Sequence, residues 1–137
     1  MATLEAPMLE RNLRHHLRIE AAFPATLMTE DGQACECEIV NLSRTGIMVA
    51  CDRATLETLM PSKQRESLFA PLNPVTVDAC FELTLSTTGR TQLNCGCHII
   101  HTRRLARDVF HVGLEFVRLE PRDRLRIEQF IAERKPR

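Results

Sequence analysis

The chain has 137 residues, 44% hydrophobic and 26% charged, and its eighteen basic and eighteen acidic side chains leave no formal net charge. That length suits one domain with its own core, and the charge balance argues against the broad basic face that grips nucleic-acid polymers through their phosphates. Trp and Tyr are absent and only six Phe are present, so platforms for stacking single strands are scarce as well; any anion bound here is expected to be small and held locally.

Residues 1–10 read as a flexible lead-in without the apolar stretch of a signal peptide, and no apolar run approaches the length of a membrane span. The expected compartment is therefore the cytoplasm, without membrane contact, where thiols stay reduced. The six cysteines are accordingly not read as a disulfide framework.

Residues 11–20, RNLRHHLRIE, gather three arginines and two histidines. Ile19, Ala21, Phe23, Ala25 and Leu27 then alternate with other residues at the period of a strand with one buried face. Pro24 within it cannot donate to a ladder and points to an edge or a bulge. Asp31-Gly32 is a hairpin signal of the type I′ kind. A second strand follows, with Cys35, Cys37 and Ile39 on one face and Glu36 and Glu38 on the other. NLSRTG interrupts the pattern and IMVAC resumes it as a third strand.

Residues 53–74 lose the alternation. Leu56, Leu59 and Met60 have helical spacing, and Pro61, Pro71 and Pro74 punctuate a stretch read as one or two short connecting helices. Alternation returns through Val75, Val77, Ala79, Phe81, Leu83 and Leu85, turns at STTG, and resumes through Leu93, Cys95, Cys97 and Ile99. DVFHVGLEF is the last strand. Pro121 suits the first turn of a closing helix, whose apolar stripe is Ile127, Phe130 and Ile131. Six short strands and a terminal helix argue for a mainly β, antiparallel barrel or sandwich.

Two short stretches carry candidate chemistry. Arg14 and Arg18, four apart, lie on one side of either a helical or an extended segment. Two guanidiniums so placed make a pair of planar donor forks suited to phosphates or to the O6/N7 edge of guanine. Asn41 and Ser43, two apart where the second strand ends, offer an amide and a hydroxyl on one side, and Gly46 allows a close backbone approach. Either stretch alone is commonplace.

Together, Arg14-His15-His16-Leu17-Arg18 and Asn41-Leu42-Ser43-Arg44-Thr45-Gly46 match an RxxxR motif followed some two dozen residues later by (D/N)xSxxG. With HVGLEF at 111–116 as a third echo, the chain resembles the PilZ domain family over residues 11–133, leaving 134–137 as a tail. The resemblance implies a six-stranded antiparallel β-barrel with a short connecting helix and a C-terminal helix, acting as a non-enzymatic receptor for cyclic di-GMP. Arg14 and Arg18 would grip phosphates and a guanine edge from an N-terminal arm that is mobile without ligand and wraps over it when bound. Asn41 and Ser43 would bond a guanine and its adjoining phosphate, and Gly46 would shape the turn, with Arg11 and Arg44 as flanking cations. Leu13, an apolar residue just before Arg14, is associated in this family with one ligand molecule rather than a stacked pair. A downstream protein would read the altered surface.

Two rival functions are an adaptor of the same fold that binds no nucleotide, and a thiol-based metal or redox sensor. The latter rests on CEC (Cys35, Cys37) and CGC (Cys95, Cys97), which could in principle form a tetrathiolate site. Each pair continues the apolar face of its strand, however, so packing is the expected role, as it is for Cys51 and Cys80. His15, His16, His98, His101 and His111 are scattered, and no catalytic arrangement can be assembled from spacing; neither cofactor nor catalysis is expected.

Overall fold

The computed structural model describes residues 18–61 and 74–134. Six antiparallel strands, β1 (Ile19–Thr29), β2 (Ala34–Leu42), β3 (Gly46–Cys51), β4 (Val75–Leu85), β5 (Gly89–Ala106) and β6 (Val109–Arg118), close into a barrel in the order β1-β2-β3-β6-β5-β4. Helix α1 (Arg53–Leu59) follows β3, and α2 (Pro121–Arg134) ends the described chain. Within those bounds, no helix is long and apolar enough to cross a membrane.

The period-two pattern has a direct cause. A closed barrel turns one side of each strand inward, and the inward positions are the expected apolar ones. Leu27, Ile39, Val49, Leu83, Leu93, Ile99 and Leu114 are all buried to 2% exposure or less. Asp52 caps α1 by accepting from the Thr55 N–H at 2.8 Å, and Leu56 and Leu59 of that helix join the core. The 62–73 portion of the expected helical connection lies outside the described residues.

At one end of the barrel, α2 docks through aromatic contacts. The Phe130 ring meets Phe23 of β1 edge-on at 6.0 Å, and Phe23 meets Phe81 of β4 at 6.2 Å. Polar ties finish the seam: Ser86 Oγ donates to the Glu133 carboxylate at 2.6 Å and Gln129 Nε2 donates to Thr87 Oγ1 at 2.8 Å. The Ser86 bonds hold the Glu133 carboxyl below its ordinary pKa.

Three local expectations need correction or refinement. The first hairpin is not type I′, because Gly32 alone takes positive φ (93°) while Asp31 does not. Instead the Thr29 and Gln33 backbones pair at 2.8 Å and the Gly32 N–H closes on the Thr29 carbonyl at 3.0 Å, a three-residue loop with glycine in the left-handed position. Pro24 pairs with Glu38 of β2, whereas the β4 ladder starts at Ala25; the proline occupies a one-sided stretch of β1 beside a register shift between Glu20 and Phe23. Finally, β5 runs on to Ala106. Arg103, Arg104 and Leu105 are exposed, so this extension projects beyond the core and carries no alternation to reveal it.

If the docking of α2 on the barrel is integral to the fold, Phe130→Ala should cost about 3–5 kcal/mol, the range for a buried aromatic truncation. Leu125→Ala on the same helix, where Leu125 is 65% exposed, should stay within about 0.5 kcal/mol. Urea unfolding of the two variants checks this, and equal losses would contradict it.

Candidate functional site

Arg18 and the Asn41–Gly46 stretch meet at one end of the β2–β3 hairpin. Arg18 is the exposed residue just before β1, and Asn41 is the next-to-last residue of β2, paired with Glu20 across the β1–β2 ladder. Arg18 Nη1 donates to Asn41 Oδ1 at 2.9 Å across 23 residues of sequence. The guanidinium fork therefore already rests against the turn motif. Arg11, Leu13 and Arg14 lie outside the described residues.

The turn itself is built around Ser43, which is 1% exposed. Its hydroxyl accepts from the Thr45 N–H at 3.3 Å and the Gly46 N–H at 3.2 Å, and donates to the Gly46 carbonyl at 3.3 Å. The Ser43 N–H donates to the same carbonyl at 2.9 Å. Serine here satisfies a tight turn that would otherwise leave backbone donors without an acceptor. Gly46 has a different reason: a Cβ there would stand 2.0 Å from the Leu114 carbonyl oxygen. Only glycine lets β3 start this close to β6, and the Phe116 N–H continues the contact onto the Thr45 carbonyl at 2.8 Å. Arg44 points away from this turn, its Nε 3.4 Å from Glu128 of α2.

A pocket of about 60 Å³ opens beside the turn, lined by Arg18, Ser43 and Thr45 on one side and by Ile100, His101 and Glu115 on the other. The far side was not singled out as part of the site from sequence. Between Ile99 and His101 the β5–β6 register shifts, so Ile100 is the extra residue of a bulge and stands 52% exposed at the rim. Such bulges re-aim side chains next to functional surfaces. His101 lies opposite Gly113, where a Cβ would come within 2.7 Å of the imidazole Nδ1. The glycine of HVGLEF thus makes room for the histidine, and that motif was the one available hint.

The four cysteines weighed as a metal site do not gather. Cys35 and Cys37 belong to β2, between β1 and β3, whereas Cys95 and Cys97 belong to β5, between β6 and β4. Among the described residues no three His, Cys, Asp or Glu side chains group as a ligand set. Burial pushes the Cys95 and Cys97 thiols up to about 12, which keeps them protonated packing groups.

The PilZ domain family model matches residues 12–133. No curated protein sequence matches the chain. Among solved structures, the Bacillus subtilis inhibitor of motility MotI/DgrA is similar at TM-score 0.66 and 16% identity, over 90% of this chain and 53% of that one. The K. pneumonia MrkH–c-di-GMP complex is similar at TM-score 0.59 and 12% identity, over 88% and 51%. The PilZ domain of Escherichia coli YcgR with c-di-GMP is similar at 0.56 and 14%, over 89% and 91%. This chain thus spans about half the length of the first two and nearly all of the third.

The turn chemistry separates two variants that spacing alone would treat alike. Ser43→Ala removes an acceptor shared by two backbone N–H groups and should cost about 1–3 kcal/mol in stability. Asn41→Ala loses only an exposed contact to Arg18 and should stay within about 0.5 kcal/mol. Chemical denaturation of both proteins, without any ligand, checks the contrast; a neutral Ser43→Ala would contradict the turn's dependence on that hydroxyl.

Proposed function

The chain belongs to the PilZ domain family, and from that premise we propose that it is a non-catalytic receptor for cyclic di-GMP that presents the bound state to a second protein. The observation that carries the reading is the 2.9 Å contact between Arg18 and Asn41. A cation ahead of β1 and an amide at the end of β2 are held together beside an open surface, which a purely structural barrel does not require. Two of the similar structures hold c-di-GMP, and the ligand's chemistry suits the groups present: phosphates and guanine edges for arginine forks, ring N–H groups for the Asn41 amide.

A volume of about 60 Å³ lies far below the roughly 300–1,000 Å³ of pockets that enclose drug-sized ligands. The dinucleotide would therefore lie across the surface, with only a polar group seated in the pocket. Such a ligand needs a second grip from outside the barrel, and that is the role assigned to Arg14 and, beside it, Arg11. Ser43, occupied within the turn, would contribute by holding the Asn41–Gly46 backbone in place as well as by any bond to phosphate. Gly46 shapes the surface, and Arg44 links the turn to α2 through Glu128, a route by which binding reaches a surface a partner can read. With Leu13 ahead of Arg14, the expected stoichiometry is one ligand per chain.

Isothermal titration calorimetry with cyclic di-GMP on the wild type, Arg14→Ala and Arg18→Ala tests this. Each lost charge-assisted contact should remove about 1.5–3 kcal/mol, roughly a ten- to hundred-fold drop in affinity. Absence of any binding by the wild type would overturn the receptor reading and leave a protein-contact adaptor of the same fold.

A further inference from the structure

Three cysteines crowd the end of the β2–β3 hairpin opposite the Asn41–Gly46 turn. The ladder pairs Ile39 with Val49 and Glu38 with Ala50, so the next position outward sets Cys37 against Cys51. Residues directly opposite in an antiparallel pair have Cα atoms about 4.5–5.5 Å apart, inside the roughly 4.4–6.8 Å that a disulfide spans. By the period-two alternation, Cys37 shares a face with Ile39 and Cys51 with Val49, the inward face of the hairpin. Cys35 and Cys37 are each 8% exposed inside the barrel, whereas Cys51, the last residue of β3, is part-exposed and so the member a small oxidant meets first.

We propose that Cys37 and Cys51 form a peroxide-sensitive dithiol that closes to a disulfide across β2 and β3, and that Cys51 is its reactive member. The Cys51 sulfur, as thiolate, attacks one peroxide oxygen; an S–O bond forms, the O–O bond breaks, and the departing hydroxide takes up the proton that the Cys51 thiol had released and leaves as water. The Cys37 sulfur then attacks the Cys51 sulfenic sulfur; the S–S bond forms, the S–O bond breaks, and a second water departs. Each cysteine gives up one electron and one proton, and the peroxide is reduced to two waters.

The local electrostatics agree with this division of labour. The hydrogen bond from Cys37 holds the Cys51 thiol below its ordinary pKa, against the opposing pull of burial and of Asp52 and Asp108 nearby. The same bond, together with burial, raises Cys37. Reactive thiols are the part-exposed ones that reach the thiolate state most easily. Cys95 and Cys97, buried and raised, lack both conditions. The cross-link would close a loop containing the whole Asn41–Gly46 turn.

The sequence makes the test direct, because Arg44 lies between the two cysteines. Trypsin cuts after Arg18, Arg44 and Arg53, so Cys37 and Cys51 fall on separate peptides, 19–44 and 45–53. The folded full-length protein, treated with hydrogen peroxide, alkylated and digested without reductant, should yield these two peptides joined with loss of two hydrogen atoms, and dithiothreitol should separate them. Cys35→Ala should retain the cross-link, whereas Cys51→Ala and Cys37→Ala should abolish it. A link through Cys35, Cys51 driven to sulfinic acid with no link, or oxidation at Cys80 ahead of Cys51 would each overturn the proposal.

Discussion

The approach of β3 to β6 at Gly46 is the contact on which the rest depends. In ring order, β1-β2-β3 meets β6-β5-β4 at the β3–β6 and β1–β4 seams, so the β3–β6 ladder is one of two places where the barrel closes. Its first rung sets Gly46 opposite Glu115, with no room for a Cβ beside the Leu114 carbonyl. A side chain there would force β3 away from β6 and open the seam. The turn that precedes Gly46 is locked by the same geometry, through the Ser43 hydroxyl on one side and the Phe116-to-Thr45 backbone bond on the other. Barrel closure and the shape of the candidate site are thus one constraint.

That constraint also fixes the charged groups of the candidate site on a chain with no net charge. The charge is local: Arg18 stands at the rim, its fork resting on Asn41, and the rigid turn fixes where that amide sits. Buried apolar residues supply the rigidity. Ile47 and Leu114, which flank the turn on β3 and β6, are at most 2% exposed, so the surface groups above them are held by packed strands rather than by a loose loop. Functional side chains on rigid elements lose little freedom on binding. The bulge at Ile100 and the glycine gap at Gly113 complete the rim from β5 and β6.

Much of this was legible in the sequence wherever one physical rule acts locally. Val75 through Leu85 and Leu93 through Ile99 alternate because a barrel strand buries every second residue, and each of those inward positions is buried. The C-terminal stripe of Ile127, Phe130 and Ile131 was readable for the same reason at helical period. The loop conformation at Asp31 was misjudged because a dipeptide fixes a turn without fixing its length. Extension of β5 through Arg103–Ala106 was hidden because a strand that leaves the core has no inward side to mark. Ile100, His101 and the Cys37–Cys51 pairing were out of reach altogether, since they follow from register between strands. The arginine and Asn-Ser-Gly motifs were visible as spacing, but that Ser43 serves the turn from inside it could be learned only from the hydrogen bonds.

We propose that the Asn41–Gly46 turn, rather than some other face of the barrel, receives the nucleotide. Amide hydrogen exchange of the full chain with and without cyclic di-GMP tests it most directly, because it reports location as well as binding. Slowed exchange is expected to concentrate at residues 41–46 and at the facing 113–115 segment of β6. Ligand-dependent protection that bypasses both segments, or no protection at saturating ligand, would contradict it.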